Sequence, residues 1–416
     1  MIDGLLARWR RRALSKYIET AHALFDRGDF AGAAAAYAKA LAIEPGAAVS
    51  VNLGYSRLSL GEFDAAESSF RRALALEPGF AAALVGLGDV AAQNGAHQQA
   101  LAQYDLALAG DPSLAVAHNN RAQSLFALGR TGDAWRDAEW RYKAPGSQAL
   151  YPHRYAIPLW QGAPLQGRLL VHWEQGYGDI IQHLRFLPLL RGRVDDFAFE
   201  CPPPLLHLVA RMLPSSRLIE AGTGPAASTG FAAYLPLLSL PHVLGITGDA
   251  LPRPPYLHAD PERSKQLRGR WEQPGVRLIG IAWRGSNFDA SRNAALADFA
   301  QLAGPGSRLV SLQKDINAQE AALLADLGAI DASDELSDFA ATADVIGALD
   351  AVVCVDTAVA HLSGAMAKST CLLLNEPCAV RWMLERTDTP WYSGTRLLRK
   401  QASKPWSGLI AGAADD

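Results

Sequence analysis

The sequence FAGAAAAYAKALAIEP at residues 30–45 decides the fold of the first third of the chain. Its last two residues, Glu44-Pro45, return downstream as Glu77-Pro78 and again as Asp111-Pro112, so the prolines are spaced by 33 and then 34 residues. A period of this length indicates an array of helical hairpins, in which each hairpin buries its apolar side against its neighbours. We therefore predict an α-helical repeat region.

Small and aromatic residues recur in phase with these prolines. They are Ala33, Tyr37 and Ala40, then Ala66, Phe70 and Ala73, then Ala100, Tyr104 and Ala107. Alanine lets two helices approach closely, the aromatic ring fills the remaining space, and proline ends the second helix. Turns between the paired helices are predicted at Gly28, Gly61 and Gly129.

This pattern resembles the tetratricopeptide repeat and extends over about residues 14–145. A fourth unit begins near Ala115 and degenerates into Trp135 and Trp140, as an end-capping repeat does where it meets another domain. The resemblance implies a concave α-solenoid surface that binds a peptide or a protein partner. A structural role, in which the repeats stiffen or oligomerise the chain, is the alternative.

Composition excludes several classes of protein. The 416 residues are 49% hydrophobic and 19% charged, which predicts two or three domains with large cores and not a disordered chain. A net charge of −3 lacks the basic field of a protein that binds nucleic acid mainly through its phosphates. The four cysteines form neither a zinc nor a redox motif, and a cytoplasmic, reducing location fits them best.

Membrane contact is expected, if anywhere, at the N-terminus. We see no secretory signal, and the longest uncharged stretch, residues 221–248, is broken by prolines and glycines, so a transmembrane segment is not expected. Four arginines surround Trp9, namely Arg8, Arg10, Arg11 and Arg12. A peripheral contact with an anionic membrane is one interpretation of this cluster, and a solvated helix start is the other.

Beyond the repeats, short apolar runs alternate with helical ones, which indicates an α/β arrangement with parallel sheets. Residues 145–167 are predicted as a packed connector. Strands are predicted at residues 169–173, 197–200, 217–219, 278–283, 309–312, 351–355 and 371–374. A proline cluster near residue 255 divides this part into two α/β units, 146–255 and 256–416, with a cleft between them. Ligands of parallel sheets bind beyond the carboxyl ends of strands, so we expect the functional residues in the loops after the strands.

The segment EQGYGDIIQ at residues 174–182 follows a predicted strand and opens a helix. Its candidate ligand-binding residues are Gln175, Gly176, Tyr177 and Gly178. The two glycines permit close approach of the backbone to a ligand. Asp179, in the first helical turn, is suited to accept a proton from a hydroxyl group. An aspartate that only caps its helix is the alternative.

The segment AVVCVDTAVAH at residues 351–361 joins a buried strand to the start of a helix. Free N–H groups at that start, including those of Thr357 and Ala358, are suited to a diphosphate, and Asp356 is suited to accept sugar hydroxyls. Ordinary capping is the alternative, in which His361 is simply a packed helix residue.

Cationic and aromatic candidates follow two other predicted strands. Trp283 and Arg284 lie at the end of the 278–283 strand, Arg292 lies a few residues further on, and Lys314 follows the 309–312 strand. An arginine here can neutralise a phosphate leaving group in place of a metal ion. Arginines that are merely exposed on loops are the alternative.

Together these segments resemble bacterial glycosyltransferases of the ADP-heptose transferase family, in the form fused behind tetratricopeptide repeats. The resemblance covers about residues 135–400 and rests on EWRY at 139–142, EQGYGDIIQ at 174–182, VSLQK at 310–314, DFAATA at 338–343, VDTAVAHL at 355–362 and TPWY at 389–392. It implies two Rossmann-like domains in the GT-B arrangement. It also implies metal-independent, inverting transfer of a sugar from a nucleotide diphosphate sugar to a hydroxyl acceptor, with no cofactor.

The same resemblance implies roles for individual residues. Asp179 corresponds to the general base that deprotonates the acceptor. Asp356 corresponds to the donor-sugar ligand, and Thr357 and Ala358 correspond to the clamp on the donor's diphosphate. Arg292 falls near the family's basic leaving-group residue. The repeats are then expected to dock a protein acceptor or partner beside the cleft.

Two departures from the family pattern motivate alternatives. The family's RNRS appears as RNAA at residues 292–295, and its PDWRW appears as CAVRW at residues 378–382. A basic group, an acid and a tryptophan are thereby lost. One alternative is a catalytically degenerate scaffold that binds partners through its repeats. The other, suggested by the basic N-terminus, is a lipopolysaccharide-type sugar transferase at the inner membrane face.

Overall fold

Residues 1–147 and 148–416 form two compact units in a computed structural model of the chain. The structure describes residues 2–144, 146–147, 155–222, 229–285, 290–376, 378–401 and 404–413. The first unit is helical and the second contains two parallel β-sheets.

Four helical hairpins, followed by the 3-10 helix Glu139–Tyr142, make up most of the described part of the repeat unit. Their helices are α1 (Ile2–Asp26), α2 (Phe30–Ile43), α3 (Ala47–Ser59), α4 (Phe63–Leu76), α5 (Ala81–Gln93), α6 (His97–Gly110), α7 (Ala115–Ala127) and α8 (Thr131–Ala138). Each hairpin turn holds a glycine with φ between +74° and +78°, at Gly28, Gly61, Gly95 and Gly129. Glycine adopts such values without a Cβ penalty. The three predicted turns are confirmed, and Gly95 supplies the fourth.

The recurring aromatic rings fill the space between packed helices, both within a hairpin and between neighbouring hairpins. Phe70 and Tyr104 are fully buried. A Cβ added at Gly86 would stand 2.3 Å from Phe70, and one added at Gly88 would stand 2.3 Å from Tyr104. Helix α5 therefore approaches both rings through its glycines. The predicted pairing of small and aromatic residues is confirmed by the buried clusters that join Ala66 and Ala73 to Phe70, and Ala100 and Ala107 to Tyr104.

One carboxylate joins three successive hairpins of the repeat unit. Asp89 on α5 accepts hydrogen bonds from the Tyr104 hydroxyl at 2.8 Å, the Asn120 amide at 2.7 Å and the Tyr55 hydroxyl at 3.3 Å. Burial raises the pKa of Asp89, and the three hydrogen bonds offset this only in part. We refer to these four residues as the Asp89 network.

The two ends of the repeat unit carry the predicted features, a repeat that ends in tryptophans and a basic cluster around Trp9. Trp135 is buried, and Trp140 stacks on His118 with ring centroids 4.1 Å apart, so the fourth hairpin is closed by tryptophans. Trp9 near the start of α1 is 67% exposed among exposed arginines. Within the described ranges no helix is both long and apolar enough to span a bilayer. Contact of the basic cluster with a membrane surface stays a prediction.

The first sheet of the second unit has four parallel strands. They are β1 (Leu165–His172), β2 (Val194–Cys201), β3 (Leu218–Glu220) and β4 (Ala233–Pro236), in the order β3-β2-β1-β4. His172 pairs with Glu200 on one side and with Pro236 on the other, so the carboxyl ends of these strands form one edge. Helices α9 (Tyr177–His183), α10 (Pro203–Ala210) and α11 (Leu240–Val243) follow β1, β2 and β4.

The second sheet has six parallel strands. They are β5 (Arg277–Ala282), β6 (Ser307–Ser311), β7 (Ile330–Asp331), β8 (Ala351–Val355), β9 (Thr370–Leu374) and β10 (Thr395–Arg399), in the order β10-β9-β8-β5-β6-β7. The accompanying helices are α12 (Pro261–Trp271), α13 (Ala318–Asp326), α14 (Phe339–Ala348), α15 (Ala358–Ala365) and α16 (Trp406–Ala411). Short 3-10 helices include Leu184–Leu190, Ala290–Arg292, Leu296–Leu302 and Val380–Trp382. Strands β5 and β8 are central and almost completely buried.

The parallel α/β arrangement is confirmed, and all seven predicted strands are present with ends shifted by a few residues. Strands β4, β7 and β10 are not predicted from the sequence. β4 and β7 have only four and two residues, which gives too short a pattern to recognise. Pro145 and residues 148–154 of the predicted connector lie outside the described residues. The Rossmann-like character of the two halves and their boundary at residue 255 stay predictions.

Two arginines tie the surroundings of the two sheets together. The buried Arg185, which follows α9, donates to the carbonyl oxygens of Trp391 at 2.8 Å and Pro252 at 3.1 Å. Arg211 at the end of α10 pairs with Asp344 of α14, with the closest N–O distance 2.6 Å. These contacts hold α9 and α10, which belong to the first sheet, against segments of the second.

Candidate functional site

Asp179 lies in the first turn of α9, directly after β1. Its Oδ2 accepts a hydrogen bond from the Gly176 backbone N–H at 3.3 Å, so the carboxylate caps its own helix. Gln175 takes φ +63°, a left-handed value that is uncommon for a residue with a side chain. This turn brings the chain from the strand into the helix. The interpretation of Asp179 as a helix-capping residue therefore accounts for one of its two carboxylate oxygens, Oδ2.

The other carboxylate oxygen faces a cation from the second sheet. Asp179 Oδ1 lies 2.5 Å from Nη1 of Arg381, and the same nitrogen donates to Gln182 Oε1 at 3.2 Å. Arg381 belongs to the 3-10 helix Val380–Trp382 between β9 and β10. The side chains of Asp179 and Arg381 are 18% and 30% exposed, so water reaches the ion pair.

Helices α9 and α15 meet at Gly178. A Cβ added there would stand 2.7 Å from Cδ2 of the buried His361, so only glycine allows this approach. The His361 Nδ1 lies 2.8 Å from the Tyr392 hydroxyl, and the ring stacks on Trp382 with centroids 5.2 Å apart. His361 is thus a packed helix residue. It also separates α9 from Asp356, because its Nε2 lies 3.9 Å from the Asp356 Oδ1.

The turn between β8 and α15 holds the predicted donor-binding residues. Asp356 is buried, and its Oδ2 lies 3.6 Å from Nη1 of Arg292. Thr357 is the N-cap of α15 with an extended backbone, and Ala358 is the first helical residue. A Cβ added at Gly285 would stand 3.4 Å from Thr357 Cγ2, so the loop after β5 lies against this turn.

Two predicted donor-binding residues contact a carboxylate of α13. Trp283 is almost fully buried and its indole N–H donates to Glu320 Oε1 at 2.7 Å. Arg284 forms an ion pair with the same oxygen, and its backbone N–H donates to Gln313 Oε1 at 3.2 Å. Both side chains therefore hold the loop after β5 in place. Their contact with a donor stays a prediction.

The remaining predicted residues lie at the rim of the cluster. Tyr177 is 41% exposed, and its ring lies edge-on to Phe339 of α14 with centroids 5.2 Å apart. Lys314 is exposed and donates to the Ser337 carbonyl oxygen at 3.3 Å. The structure thus brings Asp179, Asp356, Thr357 and Arg292 toward one region and leaves Lys314 on the surface beside it.

Burial and neighbouring charges set the protonation states of the site. Burial alone raises the pKa of Asp179, but Arg381 above all outweighs it and the pKa lies below its ordinary value. Burial lowers the pKa of His183 to about 4 and that of His361 well below its ordinary value. At neutral pH the site is therefore an Asp179–Arg381 ion pair next to two uncharged imidazole rings.

Two buried polar atoms of the cluster have no hydrogen-bond partner within the described part of the chain. They are the indole Nε1 of Trp382, a residue with 0% exposure, and the hydroxyl of Thr357. A buried donor without a partner costs about 1–3 kcal/mol. Native proteins seldom keep such atoms unpaired, so a polar ligand or water is their expected partner.

Sequence reasoning missed Arg381, the cation that faces the predicted base. In the sequence, CAVRW at residues 378–382 stands out only as a departure from a family pattern. One signal was available, because Arg381 follows β9 and loops after parallel strands are where ligand-binding residues gather. The partner could not be found in this way, since Asp179 lies 202 residues away.

Other features of the α/β unit carry less chemistry. No group of three His, Cys, Asp or Glu side chains within the described residues is arranged to hold a metal ion. Two surface depressions lie at the opposite edge of the second sheet, where its strands begin near Arg277, Ser307 and Thr370. Because ligands bind beyond the carboxyl ends of parallel strands, the cluster around Asp179 and Asp356 is the stronger candidate.

The chain carries tetratricopeptide repeats, since residues 51–115 match the family model for the tetratricopeptide repeat. Solved structures are also similar to part of this chain. The crystal structure of MamA is 21% identical, covers 33% of this chain and 81% of that one, and has a TM-score of 0.29. The Arabidopsis OM64 tetratricopeptide-repeat domain is 19% identical, with 28% and 96% covered and a TM-score of 0.27.

A relative extends beyond the repeats. Protein FlbA of Caulobacter vibrioides is 28% identical over 376 residues, which cover 81% of this chain and 60% of FlbA. The chain therefore spans about 60% of the length of this curated relative. The similarity to FlbA extends into the α/β unit, because 81% of the chain is covered. It does not show what activity this unit has.

Proposed function

We propose that the α/β unit is a glycosyltransferase that moves a sugar from a nucleotide diphosphate sugar to a hydroxyl acceptor. The observation that carries the proposal is the meeting of Asp179, from the first sheet, with Arg381 and α15, from the second. Residues that follow the carboxyl ends of parallel strands bind ligands in open α/β sheets. Two Rossmann-like halves in the GT-B arrangement, divided near residue 255, would bring acceptor and donor together at this place.

The start of α15 is proposed as the site of the donor's diphosphate. The first N–H groups of a helix have no acceptor within the helix, and the helix dipole favours an anion there. Arg292 lies beside Asp356 and adds positive charge. The carboxylate of Asp356 would accept hydrogen bonds from sugar hydroxyls. This set of charges supports a transfer that needs neither a metal ion nor a cofactor.

In the proposed reaction the acceptor oxygen attacks the anomeric carbon from the side opposite the diphosphate. The new C–O bond forms as the bond to the diphosphate breaks, and the bonding electron pair leaves with the diphosphate. Asp179 takes the acceptor's proton, and Arg292 with the start of α15 stabilises the leaving charge. In-line attack inverts the anomeric carbon. A positioned general base typically contributes about 10²–10⁴ in rate.

The repeat unit is proposed to bind a protein acceptor or partner. Helices α3 and α7 carry half-buried asparagines at corresponding positions, Asn52 and Asn120. Asn52 also lies 3.3 Å from Nε2 of His22 on α1, which extends this polar row to the first hairpin. Side-chain amides offer both a donor and an acceptor to the backbone of an extended peptide.

A scaffold without catalysis is the second candidate. One observation favours it, because Arg381 neutralises Asp179 and keeps the pKa of that carboxyl low, and a carboxylate of low pKa is a weak base. In this case the α/β unit would bind a ligand or partner without transferring a sugar.

The substitution Asp179→Asn in the full chain tests the proposal. Donors are first found by thermal shift with ADP, UDP, GDP and their sugar derivatives, because a specific ligand stabilises the folded state. Acceptors are found by mass spectrometry of proteins from cells with and without the chain. We expect Asp179→Asn to lower transfer by about 10²–10⁴ and to keep the stabilisation by the donor.

The matched control is Asp388→Asn, which removes a 70% exposed carboxylate and is expected to leave transfer unchanged. Transfer by Asp179→Asn at the wild-type rate would contradict the role of Asp179. Failure of every nucleotide and nucleotide sugar to raise the melting temperature would favour the scaffold.

A further inference from the structure

Arg381 is a cation that interacts with both predicted parts of the site. Its Nη1 is bound to Asp179 Oδ1 and Gln182 Oε1 on α9. Burial lowers the pKa of its guanidinium, but Asp179 and then Asp356 outweigh burial and raise it. Arg381 therefore lies in the electrostatic field of both the predicted base and the predicted donor site.

The segment that carries Arg381 is short and irregular. The 3-10 helix Val380–Trp382 has three residues and is followed by Met383 and Glu385, which have positive φ values of +57° and +55°. Non-glycine residues in this region store strain and gather at ligand-binding and switching segments. With its side chain 30% exposed, Arg381 is not sealed into one position by packing.

We propose that Arg381 is an exchangeable counterion: it pairs with Asp179 in the ligand-free protein, and a diphosphate group bound at the start of α15 takes it over. The exchange frees the Asp179 carboxylate to accept the acceptor's proton. This inference rests on the proposed donor site, and it adds that the donor must bind before the base can act.

A diphosphate is the ligand class that fits the exchange. An arginine binds phosphate oxygens through two parallel N–H donors, and a diphosphate carries more charge than one carboxylate. Two further buried donors belong to these segments. The Trp382 Nε1 lies next to Arg381 in the chain, the Thr357 hydroxyl lies at the N-cap of α15, and neither has a hydrogen-bond partner within the described residues. The ligand would satisfy these atoms and draw the guanidinium away from Asp179.

The exchange orders the reaction. Without a donor, Asp179 stays paired with Arg381 and does not activate an acceptor hydroxyl or water. With a donor bound, the positive charge of Arg381 stabilises the diphosphate as its bond to the sugar breaks. The proton of the acceptor hydroxyl then passes to the freed Asp179 carboxylate. The low pKa of Asp179 in the ligand-free protein then belongs to a resting state and does not argue against catalysis.

A double-mutant cycle with inorganic pyrophosphate tests the exchange. Calorimetric titration of the full chain gives the dissociation constant for wild type, Asp179→Asn, Arg381→Met and the double variant. We expect Asp179→Asn to bind pyrophosphate about 10-fold more tightly, because Arg381 no longer has a competing partner. In the Arg381→Met background the same Asp179→Asn change is expected to alter the dissociation constant less than about 2-fold.

Two further variants keep the test decisive. Arg386→Met removes an arginine of the same loop that pairs with Asp388 on the surface, and it is expected to leave the affinity unchanged. Arg381→Lys retains the charge if Arg381→Met fails to fold, and it is expected to retain part of the coupling. Circular dichroism verifies the fold of each variant.

The outcomes separate the exchange from the donor site on which it rests. If Asp179→Asn lowers the dissociation constant for pyrophosphate equally in the wild-type and Arg381→Met backgrounds, the exchange is wrong. The proposed donor site would still stand. If neither pyrophosphate nor ADP, UDP or GDP binds the wild-type chain, both the exchange and the proposed donor site are wrong.

Discussion

Asp89 in the repeat unit and Asp179 in the α/β unit are both partly buried carboxylates, yet their pKa values shift in opposite directions. Asp89 accepts hydrogen bonds from neutral hydroxyl and amide groups, and burial raises its pKa in spite of them. Burial also acts to raise the pKa of Asp179, but the Arg381 cation outweighs it and the net shift is downward. The difference lies in the charge of the partner.

Neutral and cationic partners suit a carboxylate to different tasks. The Asp89 network joins side chains of three hairpins, so its hydrogen bonds fix the stacking of repeats. Such a network is rigid once all its members are paired. The Asp179–Arg381 pair keeps both charges within reach of solvent, where an anionic ligand can compete for the arginine. We infer a structural task for Asp89 and a chemical one for Asp179.

Acidification has the largest expected effect, and it acts on the environment of Asp179. His183 donates its ring N–H to the Asp179 carbonyl oxygen at 2.8 Å, and burial lowers its pKa from 6.5 to about 4. The unfolded chain therefore takes up a proton that the folded chain refuses. The contribution of His183 is fully present above pH 6.5 and is lost as the pH falls to about 4, which amounts to about 3 kcal/mol.

Urea unfolding at about pH 7 and about pH 4.5, with hydrogen exchange to resolve the α/β unit, measures this loss. The lowered pKa values of His361 and of His97 in the repeat unit act in the same direction. The variant His183→Gln keeps a donor to Asp179 but does not titrate, so the difference between wild type and variant isolates His183. An identical loss in both proteins would show that His183 is not the titrating group.

Removal of the cation is the next largest change, because it turns Asp179 into a carboxylate like Asp89. We expect Arg381→Met to lower the free energy of unfolding of the α/β unit by about 2 kcal/mol, since it leaves a partly buried charge without its partner. The pKa of Asp179 is expected to rise in this variant, because burial is no longer outweighed.

Urea unfolding at neutral pH measures the loss of stability. Arg386→Met serves as the control, since its pair with Asp388 is exposed and contributes at most about 1 kcal/mol. Equal effects of the two substitutions would mean that Arg381 is only another surface arginine.

The sequence predicted the repeat unit more fully than the candidate site. Landmarks such as Phe70 and the turn glycines recur every 33 or 34 residues, and each hairpin packs mainly against its neighbours in the chain. Local repetition therefore carries the information on this fold. Seven of the ten strands described in the α/β unit were also predicted, because buried parallel strands are short apolar runs.

The site depends on contacts that no local pattern contains. Arg381 and Asp179 are 202 residues apart, and Arg185 and Trp391 are 206 apart. Their meeting follows from how two sheets are placed against each other, which spacing along the chain does not encode. Sequence reasoning selected Asp179 and Asp356 by their positions after strands, and it left Arg381 aside because the residues around it departed from a familiar motif.

The Asp89 network provides a third test, with a smaller expected effect, of the structural task inferred for Asp89. Asp89→Ala removes the acceptor of the Tyr104 and Asn120 groups, which are then left unpaired in a partly buried place. We expect the repeat unit to lose about 1.5 kcal/mol of stability, measured by urea unfolding with hydrogen exchange in helices α3 to α7. An unchanged stability would show that the network does not hold the hairpins together.

The substitution Asp89→Asn has the smallest expected effect and sharpens the comparison with Asp179. Because the pKa of Asp89 is raised, the folded state disfavours its negative charge, and a neutral amide oxygen still accepts a hydrogen bond. The cost should be below about 1 kcal/mol at neutral pH and smaller than that of Asp89→Ala. Asp105→Asn, at a carboxylate that is 61% exposed and pairs with Arg121, is the surface control. A loss from Asp89→Asn as large as that from Asp89→Ala would mean that the charge itself stabilises the repeats, and the contrast between the two carboxylates would then fail.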